Sequence, residues 1–324
     1  MKYKICKNCV MDSSDPAIIF DEKGICSHCN GYYSETLPAW EKLLSNKKAL
    51  VKLKKDIKSR TYPSQQYDCI IGLSGGIDRS YLLHLAVNEL SLKPLVFHVD
   101  AGWNSSVASN NIEKLIDHLK LDLYTEVINW KEMRDLQLSF FKSGVPHIDA
   151  PQDYAFFATL YKFACKFNIK TILTGANFST ECIRNPIDWM YFQSDDKQLR
   201  SIHKKFGNIK LSTFPKTHIL WHKIYLPYFK KIKVIKPLNY FKYNKQKARQ
   251  LLIDKYQWQP YSQKHFESRF TSFYEGYWLY SRFGFDVRRV QLSSLILTKQ
   301  IKREIALGIL SKDPLDEKKI KLEK

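Results

Sequence analysis

One stretch restricts the fold of this chain more than any other. The apolar run Tyr67-Asp68-Cys69-Ile70-Ile71-Gly72-Leu73 passes through Ser74-Gly75-Gly76-Ile77-Asp78-Arg79 straight into Ser80-Tyr81-Leu82-Leu83-His84-Leu85-Ala86-Val87-Asn88-Glu89-Leu90. The first part reads as a strand buried on both faces and the last as a helix. Gly75 and Gly76 let the backbone approach a ligand closely, Ser74 and Ser80 add hydroxyls, and the free N–H groups of the helix start favour an anion. Phosphate is the expected guest. Neither Walker A nor a dinucleotide GxGxxG pattern is present.

The same alternation continues downstream. Pro94 to Gly102 reads as a second buried strand ending near Asp100, Leu121 to Ile128 as a third, and Thr171-Ile172-Leu173 as a fourth that runs into Thr174-Gly175-Ala176-Asn177. Helical patterns at Trp130 to Phe141 and Asp153 to Phe167 lie between them. Strands alternating with helices imply an α/β fold with a parallel sheet and right-handed crossovers. In such sheets ligands sit at the carboxyl ends of the strands, where these stretches terminate.

Four of the seven cysteines form Cys6-Lys7-Asn8-Cys9 and Cys26-Ser27-His28-Cys29, a doubled CxxC with zinc-ribbon spacing. Four thiolates close the shell of a tetrahedral ion, so Cys6, Cys9, Cys26 and Cys29 are expected to hold a structural Zn2+. His28 keeps a Cys3His variant open. Met11 to Gly24 reads as a short hairpin, and metal replaces the core that so short a module cannot bury. The odd cysteine count argues against a disulfide framework.

No apolar run is long enough to span a membrane, and the amino-terminal residues lack the apolar region of a secretory signal, so a cytoplasmic protein without a transmembrane segment is expected. The expected organisation is a zinc-ribbon module (1–36), a linking helix (37–60) tethering it to the body, an α/β nucleotide-binding domain (61–185) and a mostly helical carboxyl-terminal part (186–324). Helical runs near Lys245 to Lys255, Phe266 to Arg282 and Lys299 to Leu310 belong to the last.

Ser74-Gly75-Gly76-Ile77-Asp78 followed by Ser80 resembles the SGGxDS loop of the PP-loop ATP pyrophosphatases, with Arg79 where the last serine of that motif falls. Within that superfamily, Cys6 to Cys9 with Val10-Met11-Asp12, His98-Val99-Asp100-Ala101-Gly102-Trp103-Asn104, Leu173 to Glu181, Lys264-His265-Phe266-Glu267-Ser268-Arg269-Phe270-Thr271, Phe283-Gly284-Phe285-Asp286 and Leu292 to Ile296 are similar to the N-acetyl sugar amidotransferases of bacterial surface-glycan synthesis. The resemblance spans nearly the whole chain. It implies that ATP adenylates an acetamido oxygen of a nucleotide-activated N-acetyl sugar in lipopolysaccharide O-antigen or related synthesis. Ammonia then displaces AMP to give an acetamidino group, with Mg2+ as the phosphate counter-ion. It also implies a separate glutaminase subunit and a protein forming an ammonia conduit.

On that resemblance, Ser74, Gly75, Gly76, Asp78, Arg79, Ser80, His98, Asp100, Gly175 and Asn177 are expected at the nucleotide, with Asp78 and Asp100 toward Mg2+. Arg79 could pair with a phosphate through its planar fork. Asp78, Asp153, Glu181, Lys264, His265 and Arg269 are the catalytic candidates, with Asp149 beside Asp153; a helix N-cap is the competing role for Asp153. Cys69 and Cys165 read as core residues, and Cys182, just past the TGAN turn, as a core residue or a catalytic thiol.

Net charge is +20, and Lys197 to Ile253 holds fifteen Lys or Arg and no Asp or Glu, interleaved with aromatic residues. Such a face fits RNA, which makes a tRNA sulfurtransferase the alternative; against it, no CxxC follows Cys29, so nucleic acid is not the expected partner. A non-catalytic nucleotide-binding scaffold is the third reading, carried only by Arg79.

Overall fold

The computed structural model describes residues 3–190 and 196–323, so the first two residues of the ribbon module, and 191–195 and 324 of the carboxyl-terminal part, lie outside it. The centre is an all-parallel sheet in the order β3-β2-β1-β4-β5, from β1 (Cys69–Gly72), β2 (Pro94–Asp100), β3 (Leu123–Val127), β4 (Thr171–Leu173) and β5 (Lys233–Ile235). β1 is buried throughout because both faces are covered, which is why its sequence is continuously apolar rather than alternating. Its register sets Ile70 beside Leu95 and Ile172, and Ile71 beside Val96 and Leu173.

Helices fill both faces of the sheet. α1 (Ile77–Asn88) and α2 (Ser106–Leu119) connect β1 to β2 and β2 to β3; α3 (Trp130–Ser143) and α4 (Ala150–Lys166) follow β3. Side chains close the starts of α2 and α3: Ser105 accepts from the Ala108 N–H, and Asn129 from those of Lys131 and Glu132. One apolar layer joins Leu82, Leu83 and Ala86 of α1 to Ile71, Val96 and Leu173. The opposite layer joins Leu160, Phe163 and Ala164 of α4 to Ile70, Leu95, Phe97 and Ile172.

Three local features differ from the sequence pattern. α1 begins at Ile77 rather than Ser80, with the Ser80 N–H on the Gly76 carbonyl, so Asp78 and Arg79 fall in its first turn. The linking helix is two helices, Leu37–Ser45 and Ala49–Ser59, parted at Asn46. The sheet also takes β5 from beyond residue 185, inside the basic segment. Two carboxylates of α3 pin the middle of that segment: Glu132 accepts from the N–H groups of Ser212, Thr213 and Phe214, and Asp135 from those of Asn208 and Ile209.

The mostly helical remainder includes helices at Asp196–Phe206 and Trp221–Phe229, α5 (Lys245–Tyr256), a helical run over 269–283, α6 (Arg288–Leu297) and α7 (Arg303–Leu310), with a short helix at Glu317–Glu323. This end, more than the linking helices, holds the ribbon. Arg303 donates to the carbonyls of Cys9 and Cys6, Arg289 donates to the Val10 carbonyl and pairs with Asp12 at 2.8 Å, and the Val10 N–H reaches Ser293 Oγ. Val10 is buried against Leu292 and Ala306. The linking helices contribute Trp40, whose indole donates to the Asn239 carbonyl.

Candidate functional site

The strand order reverses between β1 and β4, and the loops leaving their carboxyl ends diverge there. Such a switch point opens a crevice in α/β sheets. Here it is a cavity of about 550 Å³ whose walls include Ser74, Gly76, Asp78 and Arg79 after β1, His98 on β2, Thr174, Gly175 and Glu181 after β4, and several side chains between Trp258 and Glu275, Lys264 and His265 among them. Gly75 has φ +82°, the left-handed region open to glycine, and a Cβ there would lie 2.9 Å from the Ala108 carbonyl oxygen. Trp258 and Tyr261 donate to the Gly75 carbonyl at 3.0 and 3.3 Å, fixing the turn from outside.

At the loop end, Lys264 bridges two carboxylates. Its Nζ stands 3.4 Å from Asp78 Oδ2 and donates to Glu181 at 2.5 Å. Burial works to raise the Asp78 carboxyl, yet the Lys264 and Lys245 ammonium groups and the Tyr243 hydroxyl outweigh it and hold Asp78 below the usual carboxylate range. Burial likewise opposes the charge on Lys264, but Glu181 and Asp78 keep it protonated. Ser74 Oγ donates to Glu267 at 3.2 Å, so a carboxylate rests beside the loop. The Arg79 guanidinium lies 4.3 Å over the Phe156 ring, facing the cavity from α1. Gly175 sits against Arg79, where a Cβ would meet Arg79 Cγ at 3.0 Å.

The far end is carboxylate- and imidazole-rich. Asp153 Oδ2 is 3.4 Å from His147 Nε2, and Asp149 Oδ2 accepts from Thr271 Oγ1 at 2.7 Å. Burial, with the Asp153 charge behind it, pushes the Asp149 carboxyl well up, favouring its protonated form. Asp149 holds the N-cap position of α4 without a side-chain cap bond, and Asp153 lies in the first turn. Asp149 Oδ1, His147 Nδ1 and the Tyr274 hydroxyl are buried without a hydrogen-bond partner among the described residues, and all three residues line the cavity. Buried polar atoms are normally satisfied, so these three point to a polar ligand.

His265 adopts φ +67°, strained for a residue with a Cβ, and its Nδ1 pairs with Glu275 at 2.8 Å. Burial alone would weaken its hold on a proton, but the Glu275 carboxylate outweighs burial and lifts the imidazole to about 9. The folded value lies above the unfolded one of about 6.5. Its stabilisation is therefore complete below about pH 6.5 and is lost as the pH rises through about 9. A His265→Gln protein should show a smaller loss of melting temperature than the parent over that window; parallel curves would rule out the pair as its source.

Several sequence candidates stand outside the cavity walls. Ser80 is fully buried, with its Oγ unpartnered among the described residues, so it adds no hydroxyl to the loop. Asp100 accepts from the Gly102 N–H and from Asn104 Nδ2, which shapes the turn after β2. Asn177 caps the short helix Phe178–Glu181 through Thr180 N and donates to the Gly175 carbonyl, so it braces the β4 turn. Arg269 opens the 269–283 run with an exposed side chain. His98 lines the cavity, but both its nitrogens are engaged, by the Leu73 carbonyl at 2.8 Å and Asn104 Nδ2 at 2.8 Å, and burial keeps it neutral.

Cys182 donates toward the Ser294 carbonyl, and burial pushes its thiol up to about 11, the opposite of an activated nucleophile. Sequence reasoning passed over Tyr243, Lys245, Arg249 and His147. Lys245 had a readable signal: it opens α5, where the helix dipole disfavours a cation, and such a lysine calls for an anion nearby.

The four ribbon sulfurs form a separate centre, with all ligand atoms within 4.8 Å of one another. Cys6 to Cys29, Cys9 to Cys26 and Cys26 to Cys29 are 3.8, 3.6 and 3.6 Å apart. Four sulfurs about 2.3 Å from one tetrahedral ion would have edges of about 3.8 Å, so the set fits zinc. N–H groups of Asn8, Cys9 and Cys26 point at Cys6 Sγ and that of Met11 at Cys9 Sγ, as thiolate acceptors require. His28 is turned away onto Asp15 at 2.7 Å, which removes it from the ligand set.

No curated protein matches the chain significantly. Among solved structures, similarity extends to an NH3-dependent NAD synthetase from Campylobacter jejuni (16% identity, 51% of this chain and 72% of that one, TM-score 0.32). It also extends to an NMN synthetase from Francisella tularensis (17%, 70% and 92%, TM-score 0.33) and an NAD+ synthetase from Burkholderia pseudomallei (13%, 69% and 91%, TM-score 0.28). Residues 267–324, which include the cavity wall from Glu267 to Glu275 and both arginines that grip the ribbon, match the family model of the LPS biosynthesis protein WbpG-like C-terminal domain.

Proposed function

We propose that the chain is an ATP-dependent amidotransferase that converts the acetamido group of a nucleotide-activated N-acetyl sugar to an acetamidino group for lipopolysaccharide or related glycan synthesis. The observation that carries the reading is the polarity of the cavity at the switch point. One end is a glycine loop at a helix start with Lys264, Lys245 and Arg249 near it, and the other offers buried polar atoms without partners beside Asp153 and His147. The WbpG-like match at 267–324 supports the glycan setting.

In this reading the amide oxygen attacks the α-phosphorus of ATP and the bond to pyrophosphate breaks. Ammonia then adds to the imidate carbon, one proton leaves the nitrogen, and the carbon–oxygen bond to AMP breaks. Backbone N–H groups of the loop, with Lys264 and Arg79, hold the phosphates. Asp78 and Glu181 fit a hard cation together with substrate phosphates, Lys264 now neutralising both; Mg2+ there would spread the charge of the departing pyrophosphate. Asp149, whose burial favours its protonated form, and Tyr274 can donate to the substrate, and Asp153 beside His147 can take the proton from the incoming nitrogen.

Described residues lining the cavity include no cysteine, which weighs against base thiolation and against an internal glutaminase. Ammonia from a separate glutaminase subunit, through a protein conduit, is the consistent source. The test is to incubate the purified chain with ATP, a panel of nucleotide-linked N-acetyl sugars, and either ammonium chloride or glutamine. AMP and pyrophosphate should form, with amidine product from ammonium alone. Release of ADP would sink the adenylation step, and equal turnover on glutamine would sink the partner.

A further inference from the structure

Of the fifteen cationic residues between Lys197 and Ile253, the cavity uses Lys245 and Arg249. Three of the others, Lys223, Lys230 and Lys231, lie on or directly after a π-wound helix, Trp221–Phe229, of which only Leu226 is buried. The helix is anchored on its inner side by Leu226 in the α4 layer and by His222, whose ring meets Tyr161 edge-on at 4.4 Å. The wide winding brings residues four apart nearly into line. Trp221, Tyr225 and Phe229 stack as a ladder with centroids 6.4 and 5.7 Å apart. Beside it runs a second stripe, Leu220, Ile224 and Tyr228.

This outer face is turned to water. Leu220 is 62% exposed, Tyr228 75%, Phe229 71% and Ile224 48%. Isolated exposed apolar residues are ordinary, but a contiguous aromatic and aliphatic face marks a binding surface. Lys223 and Lys231 are exposed at its margins, Lys230 lies 5.6 Å over the Tyr225 ring, and no Asp or Glu occurs from 197 to 253. The occupant must therefore be both anionic and apolar. RNA fits the lysines and rings, but Leu220 and Ile224 offer no stacking face to a base. A bilayer surface fits both: aromatic and aliphatic side chains enter the boundary between headgroups and acyl chains while lysines reach lipid phosphates. No helix among the described residues is long and apolar enough to cross a membrane, so attachment would be in the plane of the interface.

We propose that the outer face of 220–229, with Lys223, Lys230 and Lys231, docks the protein on a bilayer containing anionic phospholipid. The full chain should co-sediment with vesicles of phosphatidylcholine containing about 30 mol% phosphatidylglycerol and only weakly with phosphatidylcholine alone. The triple variant Lys223→Gln, Lys230→Gln, Lys231→Gln should lose about 100-fold in partitioning, at roughly fivefold per lysine. The quadruple variant Leu220→Ser, Ile224→Ser, Tyr228→Ser, Phe229→Ser should lose at least ~10-fold, since lysines without inserted side chains hold a surface weakly.

A measurement on the unaltered chain covers the case in which a variant fails to fold. Vesicles carrying brominated acyl chains should quench its tryptophan emission, and Trp221→Phe should remove most of that quenching. Equal binding to both vesicle types, no binding, or undiminished binding by the serine variant would overturn the proposal. So would tRNA displacing the protein from vesicles at matched ionic strength, which would give the face to RNA.

Discussion

Lys264→Met should lower the rate of AMP formation by about 100- to 1,000-fold, the range for losing one preorganised charge at a transition state. Lys264 is nearly enclosed and joins Asp78 on α1 to Glu181 beyond β4, so it spans both sides of the switch point. Breaking one partner out of a buried ion pair costs about 3 to 5 kcal/mol, because the other charge is left uncompensated. The single variant should therefore also lose stability in urea denaturation. Adding Asp78→Asn removes the more buried of the two stranded charges, Glu181 being partly exposed, and should restore part of that stability without restoring activity. Recovery of both would mean that Lys264 acts only through folding; loss of neither would remove it from the site.

Cys26→Ser should have the largest structural effect. A structural zinc site of this kind contributes about 10 to 16 kcal/mol of binding free energy to the module it folds. One zinc per chain is expected by elemental analysis, falling to a small fraction in the variant. Arg289 and Arg303 bond to carbonyls of Val10, Cys9 and Cys6, so a collapsed ribbon strands two buried-facing guanidinium groups and uncovers Leu292 and Ala306. Proteolysis should then reach α6 and α7 as well as the first thirty or so residues. A variant that loses zinc but keeps the parent's cleavage pattern and melting curve would overturn the structural role.

How much of this was legible depends on whether a residue's role is local. β1, β2, β4, the glycine loop and the doubled CxxC were readable because largely continuous burial, turn chemistry and ligand spacing are short-range patterns; β3, a half-exposed edge strand, was read from its place in the alternation of strands and helices. β5 was not: Lys233–Ile235 has three residues, two of them exposed, in a lysine-rich segment, too short for any period to register. The start of α1 was misplaced by three residues because Asp78 and Arg79 look like loop residues, and only the Ser80 N–H bond to Gly76 shows the helix already under way. Ser80 was read by its hydroxyl and failed by its direction, since the fourth position of a helix turns back into the core.

Tyr243 was invisible for a different reason. Its contact with Asp78 spans 165 residues, and nothing around it in sequence suggests a carboxylate partner. Lys264, His265 and Glu267 stood out as a dense charged cluster between aromatics, whereas Arg269 from the same cluster points elsewhere. Charge density locates a segment without telling which of its side chains face inward.

The grip of Arg289 and Arg303 on the ribbon also sets an order of events during synthesis. The cysteine-bearing segment leaves the ribosome long before its docking surface, α6 and α7, is made, nearly 300 residues later in the case of Arg303 and Cys6. Contacts of such sequence separation form late. A nascent chain can load its metal early, but the finished ribbon must wait on the growing polypeptide with its apolar side uncovered. Pausing translation before residue 288 should leave a chain whose amino-terminal module is metallated and still open to protease, and release of the full length should close it.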